Sequence, residues 1–186
     1  ICITLCTFVL EMQFYLKYLR HYLISHSRHG THSPFVYQLV DEVLYRKPTV
    51  DEVNAVPLCY KRAGKREEKN YLFVERLLRT FPFGTYKISD KSNNPDLVKL
   101  FERNCTILAQ RAIYYINTVD DYQKILFEMQ EDDIIIVDSP HLSKDQEKSR
   151  RFLKQHSKVV VTIDLFHLGL VFFRKGQRKE DFIIRF

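Results

Sequence analysis

Glycine is scarce in this chain. Its 186 residues hold five, at positions 30, 64, 84, 169 and 176, and no two are closer than seven residues. Neither GxGxxG nor GxxxxGKS/T can therefore be written anywhere, because both need glycines close enough for backbone amides to approach phosphate. A standard dinucleotide or nucleoside triphosphate site is excluded. Cysteine is sparse too, at positions 2, 6, 59 and 105, with no CxxC and no zinc-finger spacing to the seven histidines. Scattered thiols of this kind suit a reducing cytoplasm and read as small apolar fillers. Long apolar runs are missing as well. The uncharged stretch before Glu11 is ten residues, about half of what a bilayer span needs. It has no basic leader region and no small-residue cleavage site. Met12 begins a stretch that reads naturally as a start, so residues 1–11 read as an upstream extension or fragment edge. GxSxG is absent, which leaves Ser/His/Asp nucleophilic catalysis without support.

What is present can build a core. Apolar residues make up 45% of the chain and charged residues 28%, with 14 Phe and 11 Tyr, a composition for one globular domain rather than a disordered chain. The formal net charge of +6 is uneven. Residues 1–141 hold 18 basic and 18 acidic side chains, whereas residues 142–186 hold 11 basic and 5 acidic. A basic C-terminal quarter suits an anionic surface or ligand, or is simply a solvated helix face and a lysine-rich turn. No arginine-rich run interleaved with aromatics occurs, so nucleic acid is not the expected partner.

Along the chain, Phe14, Tyr15, Leu19, Tyr22 and Leu23 recur at helical spacing. Ser33-Pro34 predicts a capped helix start, with Val36, Leu39, Val40, Val43 and Leu44 on one face. Residues 46–69 read as charged and irregular, with a possible capping box at Thr49-Val-Asp-Glu52. A helix over about 66–80 follows. After Phe81-Pro-Phe-Gly84 the rhythm becomes alternating. Thr85–Ser89 predicts a short strand, Asn94-Pro95 caps a helix through about Arg103, and either Cys105–Leu108 or Ala112–Ile116 makes the next strand. Thr118-x-x-Asp121 opens a helix to Gln130. Asp133-Ile-Ile-Ile-Val-Asp138 predicts a strand buried on both faces, and Ser143-Lys-Asp-Gln146 a capping box for a helix to about Gln155. Val159–Leu165, Gly169–Arg174 and Phe182–Phe186 are strand-like. The first two must pair antiparallel, because three residues between them are too few for a parallel crossover.

Ligands of open α/β sheets bind beyond the carboxyl ends of strands, and two acids fall there, Asp90 and Asp138. Asp138-Ser-Pro-His141 puts a carboxylate and an imidazole three residues apart at a strand exit. His141 could act as general base near neutral pH while Asp138 orients a substrate hydroxyl. The plainer alternative has Asp138 and Ser143 satisfying loop amides and His141 exposed. His29 and His32 could ligate a metal, but no third ligand is in view and a turn before a helix cap accounts for them. No metal site is expected.

Two stretches carry a resemblance. Arg28-His-Gly-Thr-His-Ser-Pro-Phe-Val-Tyr37 is the first. The second runs from Asp138-Ser-Pro-His-Leu-Ser-Lys-Asp-Gln-Glu-Lys148 through Val160-Val-Thr-Ile-Asp-Leu-Phe166 to Gly169-Leu-Val-Phe-Phe-Arg174. Together, over about residues 13–45 and 133–186, they resemble a group of bacterial class I S-adenosylmethionine-dependent methyltransferase-like proteins. The resemblance implies a cofactor loop after the first strand, at Tyr86-Lys-Ile-Ser-Asp90-Lys-Ser-Asn93-Asn94, with Asp90, Asn93 and Asn94 as the cofactor-binding positions. Family members carry an acidic residue and a glycine-rich turn there, and this chain has no glycine in it. They often carry two acids where this chain has Asp138-Ser139. The interval from Asp90 to Asp138, about 50 residues, is short for the usual cofactor half.

The expected architecture is α/β: a helical region over residues 12–80, then a reduced Rossmann-like sheet over residues 81–186 with an antiparallel C-terminal hairpin at its edge. The implied function is methyl transfer to an oxygen or nitrogen of a small-molecule or protein acceptor. Asp138 and His141 would be the catalytic pair, and S-adenosylmethionine would bind weakly or not at all. A non-catalytic partner subunit on the same fold, or a basic module for an anionic surface, are the competing readings.

Overall fold

The computed structural model describes residues 2–27, 33–89, 94–117, 122–174 and 176–186, and the side chains within these except at 2–11, 122 and 123. The elements are α1 (Cys2–Ile24), α2 (Pro34–Leu39) running into a π-helical turn (Val40–Leu44), α3 (Val50–Ala55), α4 (Leu58–Ala63), α5 (Lys65–Thr80), β1 (Thr85–Ile88), α6 (Pro95–Asn104), β2 (Ala112–Ile116), α7 (Tyr122–Glu128), β3 (Ile134–Asp138), α8 (Lys144–Gln155), β4 (Val161–Asp164), β5 (Leu168–Phe172) and β6 (Glu180–Ile183). Helix α1 runs through Met12 without a break.

Local chemistry explains most boundaries. The Asn94 side chain accepts from the Asp96 amide, with Pro95 at the first helical position. Ser143 accepts from the Gln146 amide at the start of α8. Residues 46–69, expected to be irregular, hold two short helices instead. Thr49 and Glu52 form a reciprocal capping box that starts α3, and Pro57 precedes α4. The buried Glu52 carboxylate also receives Arg76 at 3.0 Å and Arg46, so the segment is tied to α5 by charge where its apolar pattern is weak. Its carboxyl is held down to about 2 by the Arg76 hydrogen bond, which outweighs burial, with help from the Thr49 amide and Arg46.

The six strands form one mixed sheet in the order β1-β2-β3-β5-β4-β6. β1, β2 and β3 are parallel, β5 runs antiparallel to both β3 and β4, and β6 is parallel to β4. The hairpin of β4 and β5 is antiparallel as its three-residue connection requires. It does not form the edge, however. β5 lies between β3 and β4, and β6 takes the edge. The reason is burial: all five residues of β5 and all four of β4 are buried, whereas β6 is only partly so. A strand apolar throughout belongs inside a sheet.

Alternate residues of the strands feed two apolar layers. Ile113, Tyr115, Ile134, Ile136, Ile163 and Leu170 face α2, α5 and α6, so the helical region and the sheet share one core. Ile116, Ile135, Val137 and Val171 face Ile125 and Leu126 of α7 and Leu153 of α8. The helix after β1 therefore covers one face and the helices after β2 and β3 cover the other.

The connection from α6 to β2 explains that change of side. Thr106 donates its amide to Phe83 at 2.8 Å, while Gly84, the next residue, donates to Arg111 at 3.0 Å. Successive strand residues point their amides to opposite sides, so the chain at Cys105 and Thr106 sits on the side of β1 away from β2. It then crosses back to enter β2. Cys105 makes a single parallel bridge to Phe83; of the two expected strands here, Ala112–Ile116 is the one that forms. The crossing is possible because position 84 is glycine. A Cβ there would stand 2.0 Å from the Ala109 carbonyl oxygen.

Candidate functional site

Four strands end on the same edge with polar residues just at or past their last positions. These are Ser89 after β1, Asn117 after β2, Asp138 ending β3 and Asp164 ending β4. Asp164 is the centre of the densest polar cluster. Its carboxylate accepts from His141 Nε2 at 2.9 and 3.0 Å, from Arg150 at 2.7 Å and from the Phe166 amide at 3.0 Å. His21 of α1 approaches the same residue, 3.2 Å from its carbonyl and 3.4 Å from its carboxylate. Burial alone would raise the Asp164 pKa. The hydrogen bonds from His141 and His21 and the charge of Arg150 instead hold it well below the usual carboxylate range.

The turn that presents these groups is shaped by Phe166. It adopts φ +69°, and its ring lies flat against His141, with centroids 4.8 Å apart and planes 8° from parallel. Phe14 and Tyr18 of α1 meet the same ring edge-on at 5.1 and 4.9 Å. Lys17 reaches Glu147 of α8 at 2.7 Å, and Glu147 stands 3.8 Å from His141 Nδ1. His167 follows, and burial, with the nearby Arg66 charge, lowers it to about 4. One histidine, one carboxylate and one aromatic thus join α1, α8 and the β4–β5 turn.

The expected site residues fare differently. His141 is buried rather than exposed, and its carboxylate partner is Asp164. Asp138 accepts from the Ser139 hydroxyl at 2.9 Å, beside a Tyr115 hydroxyl that burial and this carboxylate raise well above its ordinary value. Ser139 holds φ +50°. Asn94 has its side chain on the Asp96 amide. Asp90 and Asn93 lie outside the described residues, as do His29 and His32. Ser33 occupies the N-cap position of α2 without a side-chain cap bond, and its hydroxyl accepts from Gln177 at 3.0 Å instead. Cys59 is exposed rather than a filler, and lies 3.0 Å from Asp96. Among the described residues no group of three or more His, Cys, Asp or Glu could hold a metal.

Asp164, His21 and Arg150 were not expected. The signal for Asp164 was legible: an acid ending the apolar run Val159–Leu165 is a strand-exit carboxylate just as Asp138 is. His21 and Arg150 carried none, because long-range packing alone brings them in.

Near Asp138 the wall of the edge is built of tyrosines. The rings of Tyr60 and Tyr71 meet at a 45° tilt with centroids 4.7 Å apart, and burial, reinforced by the nearby Cys59, pushes the Tyr60 hydroxyl up. Much of the C-terminal basic excess is used internally. Arg150 pairs with Asp164, Lys154 with Asp181 at 3.3 Å, Lys179 with the His156 carbonyl at 2.9 Å, and Arg174 stacks over Phe35 at 4.0 Å. A cleft of about 850 Å³ lies at the opposite, amino edge of the parallel strands, between Phe35, Phe81, Arg174 and Glu180. Among the described residues no helix is long and apolar enough to cross a membrane. No protein-family model, curated protein or solved structure matches the chain.

Proposed function

We propose that this chain is an S-adenosylmethionine-dependent methyltransferase-like protein with a reduced Rossmann-like sheet and a degenerate cofactor site, its methyl-transfer activity weak or lost. The observation that carries this reading is the change of helix side between β1 and β2. α6 packs on one face, α7 and α8 on the other. In open α/β sheets such a reversal opens the crevice where ligands bind, and it falls beside the turn that the resemblance marks as the cofactor loop.

The described residues at that turn do not fit the cofactor. Close approach of its methionine and sugar needs backbone without Cβ and free to adopt positive φ. The stretch Tyr86–Asn94 has no glycine. Gly84 is the nearest, and its lack of Cβ serves the chain crossing at the other end of β1. Asn94 is engaged as a cap, which leaves the first amides of α6 as the attraction for a carboxylate. That is worth about 0.3–1 kcal/mol at an exposed helix end, against about 8 kcal/mol for micromolar affinity.

A partner subunit without catalysis is the second reading, and the burial of His141 and Asp164 favours it. His141 is bonded to Asp164 through Nε2, and Nδ1, the nitrogen left to take a proton, faces Glu147 at 3.8 Å with the ring buried. Calorimetric titration with S-adenosylmethionine tests the primary reading: no saturable heat is expected in the micromolar range. Saturable micromolar binding that Asp90→Ala abolishes would restore a working enzyme.

A further inference from the structure

The outward face of α1 over residues 12–23 is apolar and left uncovered by the described residues. Phe14, Lys17, Tyr18 and His21 turn inward to Phe166, Glu147 and Asp164. Met12, Tyr15, Leu16, Leu19 and Leu23 lie roughly opposite on the helix and are 48 to 71% exposed, while Tyr22 beside them has Arg185 over its ring at 4.1 Å. At roughly 150–200 Å² for each side chain when fully exposed, they leave on the order of 500 Å² of apolar surface. That lies in the upper part of the roughly 300–600 Å² of the largest patch on a typical monomer, which is often functional. It supplies more than half of the ~800 Å² that each partner contributes to a standard stable interface.

We infer that this face is a homodimer interface in which α1 packs antiparallel against α1 of a second copy. The spacing of the stripe is the argument for a second copy over any other occupant. Met12, Leu16, Leu19 and Leu23 are separated by four, three and four residues, so the stripe reads the same in both directions. A two-fold axis demands such self-complementarity of a single patch. The register that sets Met12 against Leu23 and Leu16 against Leu19 also sets Tyr15 against Arg20, an exposed cation meeting an exposed ring. A membrane surface is the poorer fit. Helices that lie on membranes are rich in Lys and Arg on the polar face. Here Lys17 is taken by Glu147, which leaves Arg20 as the only outward cation of residues 12–24.

Sedimentation velocity at tens of micromolar protein tests this, alongside Leu16→Glu/Leu19→Glu, Leu23→Glu, and Leu108→Glu as a control at an exposed site elsewhere. Far-UV circular dichroism and melting temperature check that each variant is folded. The chain is expected to sediment at twice its monomer mass. The double variant places carboxylates from both copies in one apolar seam and is expected to raise the dissociation constant on the order of 100-fold. Leu23→Glu acts in the same direction, and Leu108→Glu leaves the dimer intact. Four results would overturn the inference. They are a monomer at every concentration, a dimer that folded stripe variants do not weaken, equal weakening by Leu108→Glu, or a monomer that floats with anionic phospholipid vesicles.

Discussion

At the scale of single residues, Asp164 decides how the carboxyl edge behaves. Its carboxylate collects His141, Arg150 and the Phe166 amide while buried. Removing its charge leaves a guanidinium without its counter-ion. Asp164→Asn is expected to cost about 3 kcal/mol, the lower range for breaking a buried pair, read as a fall in the urea midpoint at unchanged slope. A loss below about 1 kcal/mol, within the range of a surface pair, would mean that the cluster contributes little. His167 sets the response to acid. Its pKa falls from 6.5 to about 4 in the fold, so the unfolded chain binds the proton more readily. Its contribution is complete above pH 6.5 and is lost as pH falls toward 4. Glu52, held at about 2 against 4.5 for the free group, adds its own loss from about pH 4.5 downward. Melting temperature is therefore expected to decline from pH 6.5 downward, and His167→Asn to flatten the decline between 6.5 and 4. A decline unaltered by that change would remove His167 from the account.

At the scale of elements, the legible parts were those with local chemistry. Asn94-Pro95, Ser143 and the Thr49–Glu52 box mark helix starts through side chains within three residues of the bond they make. The run Ile134–Val137 declares a buried strand by its lack of polar positions. The interior place of β5 was hidden, because local pattern gives direction and burial but not neighbours. The same holds for the site: Asp138 and His141 stood out as a pair in sequence, yet packing joined His141 to a carboxylate 23 residues away. Gly84 illustrates a third kind of information, carried by what a residue lacks. Gly84→Ala is expected to destabilise by at least ~2 kcal/mol, since a Cβ 2.0 Å from the Ala109 oxygen forces backbone to move. At Gly169 the nearest atom is the Val137 Cβ at 3.4 Å, and Gly169→Ala should stay within about 1 kcal/mol. Thermal melts of the two variants compare them directly, and equal effects would refute the crossing.

At the scale of the whole molecule, α1 lies across the carboxyl edge at β4, fastened by Lys17, His21 and the aromatic contacts to Phe166. At β4 the strand-exit carboxylate Asp164 is turned inward to His141, Arg150 and His21 of that helix. The proposed loss of cofactor binding rests separately on the glycine-free turn after β1. Hydrogen–deuterium exchange, followed across residues 85–94, 134–142 and 12–24 with and without millimolar S-adenosylmethionine, examines it most directly. The expected result is the same exchange in all three segments in both conditions, with α1 slow throughout. Cofactor-dependent protection at residues 85–94 and 134–142 would contradict it, and would show a working site at the reversal between β1 and β2.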